Sequence, residues 1–281
     1  MLLSGRRLSR SIQRAIKKEV DNYKNKPGLG IILVGDNPDS KVYVNSKRKA
    51  CQKAGFNCDL VQLHKTCDTD TIINEINIMN SAAHIHGIMM QLPLPDHLDE
   101  THILEHIIPE KDVDCFNSLN IGNLALNKPD HLQSCTPKGI ICLLDHYNID
   151  IHGKNITVIG ASKIVGLPLS MMLLNRGATV SICHIDTQDY REYTRNSDIV
   201  IIATGNPHLI KKNDLNKDRN TYIIDVGINK IHDGKLVGDV DFDNVKSVVK
   251  GITPVPGGVG PMTIAMVLEN TLELYTKQSN L

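Results

Sequence analysis

NITVIGASKIVGLP, residues 155–168, sets a strand, a glycine-containing loop and the start of a helix in immediate succession. NITVIG is a short apolar run of the kind buried in a parallel sheet, and a helical pattern near 164–176 follows it. VIGASKIVG (158–166) therefore sets Gly160, Ala161, Ser162 and Gly166 between a strand and a helix. There, free backbone N–H groups and the positive helix end favour a pyrophosphate. The spacing is G-x-S-x-x-x-G rather than G-x-G-x-x-G, so the strand-loop-helix context carries the reading. The next strand, ATVSIC (178–183), leads into His184, Ile185 and Asp186, about where a dinucleotide fold meets the adenosine ribose. Asp186 either accepts from a ribose 2′-OH and repels a 2′-phosphate, or caps the following turn.

Outward from this stretch the same rhythm repeats. GLGIILVG (28–35), NCDLVQL (57–63) and HGIMMQL (86–92) read as strands in the first half, separated by helices near 40–54 and 68–80. DIVIIA (198–203) and TYIIDVG (221–227) continue the second half, with a helix near 188–196. Strands alternating with helices define an α/β protein with mostly parallel sheets. The polar DHLQSCTPKG (130–139) is the natural boundary between two domains.

At 281 residues, 41% hydrophobic and 22% charged, the chain can bury a substantial core. Its 31 basic and 31 acidic residues balance, with no dense basic stripe, which argues for small-molecule partners over nucleic acid or an anionic membrane. Seven scattered cysteines, odd in number and never spaced C-x-x-C, fit reduced thiols in the cytoplasm. No metal is expected: His84 and His86 alternate beside a strand with no cysteine or carboxylate partner nearby in sequence, and closed sites need three or four ligands. The basic start MLLSGRRLSRSIQRAIKKEV has the look of a transit peptide, but Leu8, Ile12, Ile16 and Val20 recur every four residues, which favours a folded amphipathic helix. No apolar run reaches the ~18 residues of a membrane span.

Two further stretches carry chemistry. GITPVPGGVGPMT (251–263) holds four glycines and three prolines. Gly257, Gly258 and Gly260 can take positive φ or admit a flat ring, while Pro254, Pro256 and Pro261 stiffen the wall, which suits a planar substrate or a nicotinamide. Tyr43 and Lys47 stand at i and i+4 on one helical face, a spacing shared by surface pairs and catalytic ones. Gln91 closes a buried strand just before Leu92 and Pro93, and a polar group at a strand's carboxyl end is where open α/β sheets bind ligands. Asp114, in EKDVD (110–114), is either a carboxylate for an amino-heterocycle or a turn cap.

YVNSKRK (43–49), QLPLP (91–95), PEKDVD (109–114), CTPKG (135–139), GASKIVGLP (160–168), GDVDF (238–242) and ITPVPGGVGPMT (252–263), in this order, resemble the bifunctional methylenetetrahydrofolate dehydrogenase/methenyltetrahydrofolate cyclohydrolase family over essentially the whole chain. The resemblance implies an N-terminal catalytic α/β domain over 1–137 and a C-terminal Rossmann-type NAD(P)-binding domain over 138–261. A last helix at 262–281 packs back onto the first domain. It also implies a folate cleft between the domains, a cytoplasmic homodimer, and a role in one-carbon metabolism and purine biosynthesis. Lys47 takes the matching catalytic position, with Gln91 orienting it and Tyr43 lining the folate. Asp114, Pro93, Pro256, Gly257 and Gly258 fall on the substrate side. Gly160, Ala161, Ser162, Gly166, His184, Ile185, Asp186 and Ile228 fall on the cofactor side. NADP is the family's usual cofactor.

The chemistry is consistent with those residues. Oxidising a methylene bridge between two nitrogens needs positioning more than a base, since the lone pairs stabilise the developing cation. Hydrolysing the methenyl cation does need proton handling, and a cationic substrate beside Lys47 favours its neutral amine. Four positions depart from the family's pattern. Cys115 replaces the usual glycine after Asp114, Ala161 stands where other members have arginine, and Ile185 and Asp186 stand where many members carry Arg or Ser for the 2′-phosphate. These departures keep NAD as an alternative to NADP. A shikimate-type dehydrogenase would explain the nucleotide loop but not QLPLP or the final loop. A non-catalytic folate- or nucleotide-binding protein would not explain Tyr43, Lys47, Gln91 and Asp114 together.

Overall fold

The computed structural model describes residues 1–231 and 234–279. The first half runs α1 (Gly5–Asp21), β1 (Gly28–Val34), α2 (Pro38–Ala54), β2 (Asn57–Leu63), α3 (Thr69–Ser81), β3 (Gly87–Gln91), α4 (Glu100–Leu104) and α5 (Ser118–Ala125). The second runs α6 (Cys135–His146), β4 (Asn155–Ile159), α7 (Gly166–Asn175), β5 (Thr179–Cys183), α8 (Arg191–Thr194), β6 (Ile199–Ile202), β7 (Tyr222–Asp225), β8 (Asn229–Lys230), β9 (Leu236–Val237), α9 (Phe242–Val245), β10 (Gly251–Ile252) and α10 (Val259–Ser279). The α/β class expected from the sequence is what the chain adopts, and its two larger sheets are wholly parallel. Among the described residues no helix is long and apolar enough to cross a membrane.

The chain divides into two compact units: Met1–Ser9 with Thr136–Thr263, and Arg10–Cys135 with Ile264–Leu281. The unit built mainly from the first half holds a three-stranded sheet in the order β2-β1-β3. β1 is central and buried throughout, which explains its unbroken apolar run GLGIILV, whereas the edge strand β2 alternates. Ile32, Ile72, Ile76, Ile88 and Ile103 are fully buried in its core. The end of α10 belongs here: Asn270 donates to the carbonyls of Val113 (2.9 Å) and Gln133 (2.8 Å), and the Tyr275 hydroxyl donates to Asn25 O (2.8 Å). The helix expected over 262–281 starts three residues earlier, and residues 280 and 281 lie outside the described residues.

The other unit holds a five-stranded sheet in the order β10-β7-β6-β4-β5. The first nine residues, assigned from the sequence to the N-terminal domain, join this unit instead. Leu2 bridges Ile252 in parallel, Leu3 N donates to Ile252 O (2.9 Å) and Ile252 N donates to Met1 O (3.0 Å), so the amino terminus extends the β10 edge. Backbone pairing across about 250 residues leaves no local signal. The helix expected near 188–196 shortens to α8.

Candidate active site

α2 starts where Asn37 accepts from Asp39 N and Ser40 N with Pro38 next to it, and stops at Gly55, whose φ of 80° is the left-handed helix end glycine favours. Its inward stripe is Ser40, Val44, Lys47, Ala50, Cys51 and Ala54. An ammonium in the middle of an otherwise small and apolar stripe is costly unless it is paired or neutral. Lys47 is 8% exposed, and its Nζ donates to Gln91 Oε1 at 3.0 Å. The Gln91 Nε2 donates to Leu92 O at 2.7 Å, which settles which end of the amide faces the lysine.

Asp114 arrives by pairing with β3. Ile88 N donates to Lys111 O (2.6 Å) and Val113 N to Ile88 O (3.3 Å), so residues 111–114 run alongside that strand toward its Gln91 end. The turn that follows is capped by Asp112, not Asp114: Asp112 Oδ2 accepts from Asn117 N (2.8 Å) and Asn120 Nδ2 (3.0 Å). Asp114 lies buried against the Cys135 thiol and feels the charge of Lys47. Burial pushes the Lys47 amine below the ordinary lysine range, with the Asp114 charge opposing. Burial likewise pushes Asp114 up, with Lys47 opposing. Both groups are driven toward their neutral forms before any cationic substrate is added.

Tyr43, one turn before Lys47, is 36% exposed, and its partial burial raises its phenol. Cys115 has φ 61°, the left-handed region that favours glycine, so the backbone keeps a glycine-like turn with a thiol attached. That thiol donates to Leu132 O at 3.3 Å. His84, taken from the sequence to lack a carboxylate partner, has one: its Nε2 lies 2.8 Å from Asp59 Oδ2. The contact joins residues 25 positions apart across the sheet, which local sequence cannot show. Among the described residues no cluster of three or more metal-ligating side chains forms.

In the other unit, Gly160, Ala161, Ser162, His184, Ile185 and Asp186, the residues expected to meet a nucleotide, follow the carboxyl ends of β4 and β5. Gly160 has φ 109°, and a Cβ there would sit 2.2 Å from Ala203 O. A Cβ on Gly166 would fall 1.7 Å from Gly160 O. Both glycines are thus required for the loop to fold tightly into α7, leaving Ala161 and Ser162 exposed at the helix start. Ser162 Oγ accepts from Val165 N at 3.2 Å. After β5, the turn is closed by Thr187 Oγ1, which accepts from His184 N (2.9 Å), and by His184 Nδ1, which accepts from Asp186 N (3.3 Å). The Asp186 carboxylate is not what caps that turn, and Ile185 beside it is 97% exposed.

The glycine-proline loop is packed closely by the chain around it. Pro256 is exposed, but Gly257 and Gly258 are buried by the chain itself. A Cβ on Gly257 would meet Arg6 Nε at 2.7 Å, and one on Gly258 would meet Thr253 Cβ at the same distance. Gly5 N donates to Gly257 O (3.0 Å) and Ser9 Oγ to Pro261 O (2.8 Å). Gly257 thus admits Arg6 of the amino-terminal segment, and Gly258 admits Thr253 of its own loop. Tyr43, Lys47, Gln91, Pro93 and Asp114 belong to one unit, and Pro256, Gly257, Gly258, Ile228 and the nucleotide residues to the other.

A buried lysine-amide-carboxylate cluster on one unit, and a parallel sheet with a tight glycine loop before a helix on the other, are the features of an α/β enzyme of the dinucleotide-dependent kind. Family models agree. The tetrahydrofolate dehydrogenase/cyclohydrolase catalytic domain matches residues 3–114, and the NAD(P)-binding domain of the same family matches residues 134–279. The chain belongs to the tetrahydrofolate dehydrogenase/cyclohydrolase family. It is 47% identical over 282 residues to the bifunctional protein FolD of Aquifex aeolicus, covering 99% of this chain and 96% of that one. The crystal structure of the bifunctional FolD methylenetetrahydrofolate dehydrogenase/cyclohydrolase from Campylobacter jejuni superposes with a TM-score of 0.95 at 45% identity, covering 100% of this chain and 99% of that one. The Trypanosoma brucei methylenetetrahydrofolate dehydrogenase-cyclohydrolase, solved with NADP and an inhibitor, also reaches 0.95, at 36% identity and with coverage of 100% and 99%.

Proposed function

We propose that this chain oxidises methylenetetrahydrofolate to methenyltetrahydrofolate with NADP and hydrolyses the product to formyltetrahydrofolate, with Lys47 handling the proton of the second step. The observation that carries the assignment of Lys47 is its buried contact with Gln91 Oε1 at 3.0 Å beside Asp114. A bound NADP supplies the hydride acceptor, and the loop that only Gly160 and Gly166 permit suits its pyrophosphate. In the hydrolysis, the Nζ lone pair of neutral Lys47 takes the proton of the attacking water. Gln91 Oε1 holds one N–H of that amine, which turns the lone pair away from the amide. Asp114 accepts from the pterin's N–H groups, and Tyr43 and Pro93 line the folate. Pro256, Gly257 and Gly258 contribute backbone on the substrate side. Ala161, Ser162, His184, Ile185, Asp186 and Ile228 contact the dinucleotide. Asp186, exposed after β5, weakens discrimination against NAD.

The protein works as a homodimer in the cytoplasm, feeding one-carbon units to purine biosynthesis. This rests on the family pattern and on seven cysteines that are all thiols.

Lys47→Met tests the assignment. Hydrolysis of the methenyl cation should fall by about 10²–10⁴-fold, the typical worth of a positioned acid-base group, while hydride transfer survives. In the unaltered protein the hydrolysis rate should rise with pH through a value below the ordinary lysine range, because the active form is the neutral amine and burial depresses its pKa. Equal collapse of both activities in a folded, folate-binding variant refutes the role of Lys47.

A further inference from the structure

GDVDF (238–242) is part of the sequence pattern but has no place in the chemistry above. In the structure its first aspartate, Asp239, is fully buried beside Asp225, the last residue of β7, which is 2% exposed. Each carboxylate is surrounded by hydrogen-bond donors. Asp239 Oδ2 accepts from Thr204 N (2.7 Å), Thr204 Oγ1 (2.8 Å) and Gly205 N (3.0 Å), and its Oδ1 accepts from Asn229 Nδ2 (2.8 Å). Asp225 Oδ1 accepts from Gly227 N (3.1 Å) and Asp239 N (3.0 Å), and its Oδ2 from Val240 N (3.0 Å). Glycines make room for this: a Cβ on Gly227 would lie 2.0 Å from Asp239 Oδ1, and one on Gly238 would lie 1.8 Å from Asp225 Oδ2.

The pair ties together the segments that follow β6 and β7. Parallel pairing sets Ile159, Ile202 and Asp225 abreast, so these segments emerge at the same sheet edge as the Gly160 loop. In the order β10-β7-β6-β4-β5, chain direction across the sheet reverses at β4, the switch point where a dinucleotide crosses. One half then lies toward β5, where His184, Ile185 and Asp186 meet the adenosine end. The other half lies over β6 and β7. Ile228, 37% exposed, sits there between two pinned neighbours, Gly227 and Asn229.

We propose that Asp225 and Asp239 are positioning residues for hydride transfer: the pair holds the Thr204–Gly205 and Gly227–Asn229 segments as a rigid seat for the nicotinamide end of the dinucleotide. This rests on the reading of this unit as the dinucleotide site. A carboxylate with four donors accepts without needing to reorient, so the seat is set before the cofactor arrives. Hydride transfer rewards that, because a misplacement of about 1 Å costs about 10²-fold in rate.

The test uses the full-length protein with Asn229→Ala, Asp239→Asn, and Asp239→Asn combined with Asn229→Asp. Readouts are NADPH affinity by fluorescence titration, kcat and KM for NADP, and methenyl hydrolysis. Asn229→Ala and Asp239→Asn should each weaken NADPH binding or slow hydride transfer by about tenfold or more, with hydrolysis within about twofold of the unaltered protein. The double variant reverses donor and acceptor across the 229–239 contact and should recover most of the loss. Asn229 is only partly buried, so its variant decides the matter even where Asp239→Asn fails to fold. Unchanged dehydrogenase kinetics in Asn229→Ala, a folded double variant without rescue, or parallel loss of both activities each overturns the proposal. An unaltered protein that binds no NADPH instead overturns the dinucleotide reading beneath it.

Discussion

At the scale of single residues, burial decides which of two chemically similar side chains does what. Asp112 and Asp114 are two positions apart in one extended segment, yet Asp112 is consumed by Asn117 and Asn120 while Asp114 is left facing Lys47 and a thiol. EKDVD alone leaves both as candidates for a cap. Asp186 shows the opposite case, since its turn is closed by Thr187 and His184 and its carboxylate stands in solvent. An exposed carboxylate near a 2′-phosphate repels it modestly, and no cation stands at position 185 to offset that. Ile185→Arg with Asp186→Ser should therefore raise the ratio of kcat/KM for NADP over NAD by about tenfold, or roughly 1.4 kcal/mol of differential binding. Steady-state kinetics with both cofactors measure it. No change in the ratio would place the 2′-phosphate elsewhere.

At the scale of elements, tight junctions set the site. The β4–α7 junction closes only because Gly166 has no side chain, as its Cβ would lie 1.7 Å from Gly160 O. Gly166→Ala must push the loop off the start of α7 and misdirect the N–H groups proposed to hold the pyrophosphate. Dehydrogenase activity should fall by about a hundredfold while hydrolysis persists, since Lys47, Gln91 and Asp114 belong to the other unit. A parallel assay of both reactions checks this, and equal losses would point to a folding defect. α2 was legible from the sequence because its cap, its proline and its terminal glycine are all local. The pairing of residues 111–114 with β3, which delivers Asp114, was not, because it depends on backbone hydrogen bonds to a strand more than twenty residues away.

At the scale of the whole molecule, buried carboxylates give stability a pH dependence of definite sign. Burial is the first cause that raises Asp112 to about 6 and Asp225 to about 7. In the unfolded chain both return to roughly 3.9. The folded state therefore holds these protons more tightly: the contribution is fully present below about pH 4 and is lost as pH rises through about 6 and then about 7. Calorimetry should show the melting temperature falling between about pH 4 and about pH 7, by about 2–4 °C for each kcal/mol lost. Asp225→Asn should flatten the upper part of that slope, even if it lowers the melting temperature throughout by setting an amide N–H against Val240 N–H. A melting temperature that rises over this range would overturn the assignment.

The α/β class, the succession of strands along the chain and the glycine loop were legible in the sequence, which also singled out Tyr43, Lys47, Gln91 and Asp114 as candidates, because each rests on a local period, cap or motif. The tertiary structure alone decided four things. Met1–Ser9 joins the sheet of the second half, and Gly257 and Gly258 receive Arg6 and Thr253. Lys47 and Gln91 meet across 44 residues, and Asp225 and Asp239 interlock behind Ile228. The physical reason is common to all four. Burial and hydrogen-bond partnership depend on what the folded chain brings within about 3 Å, and a residue's sequence neighbours do not specify that.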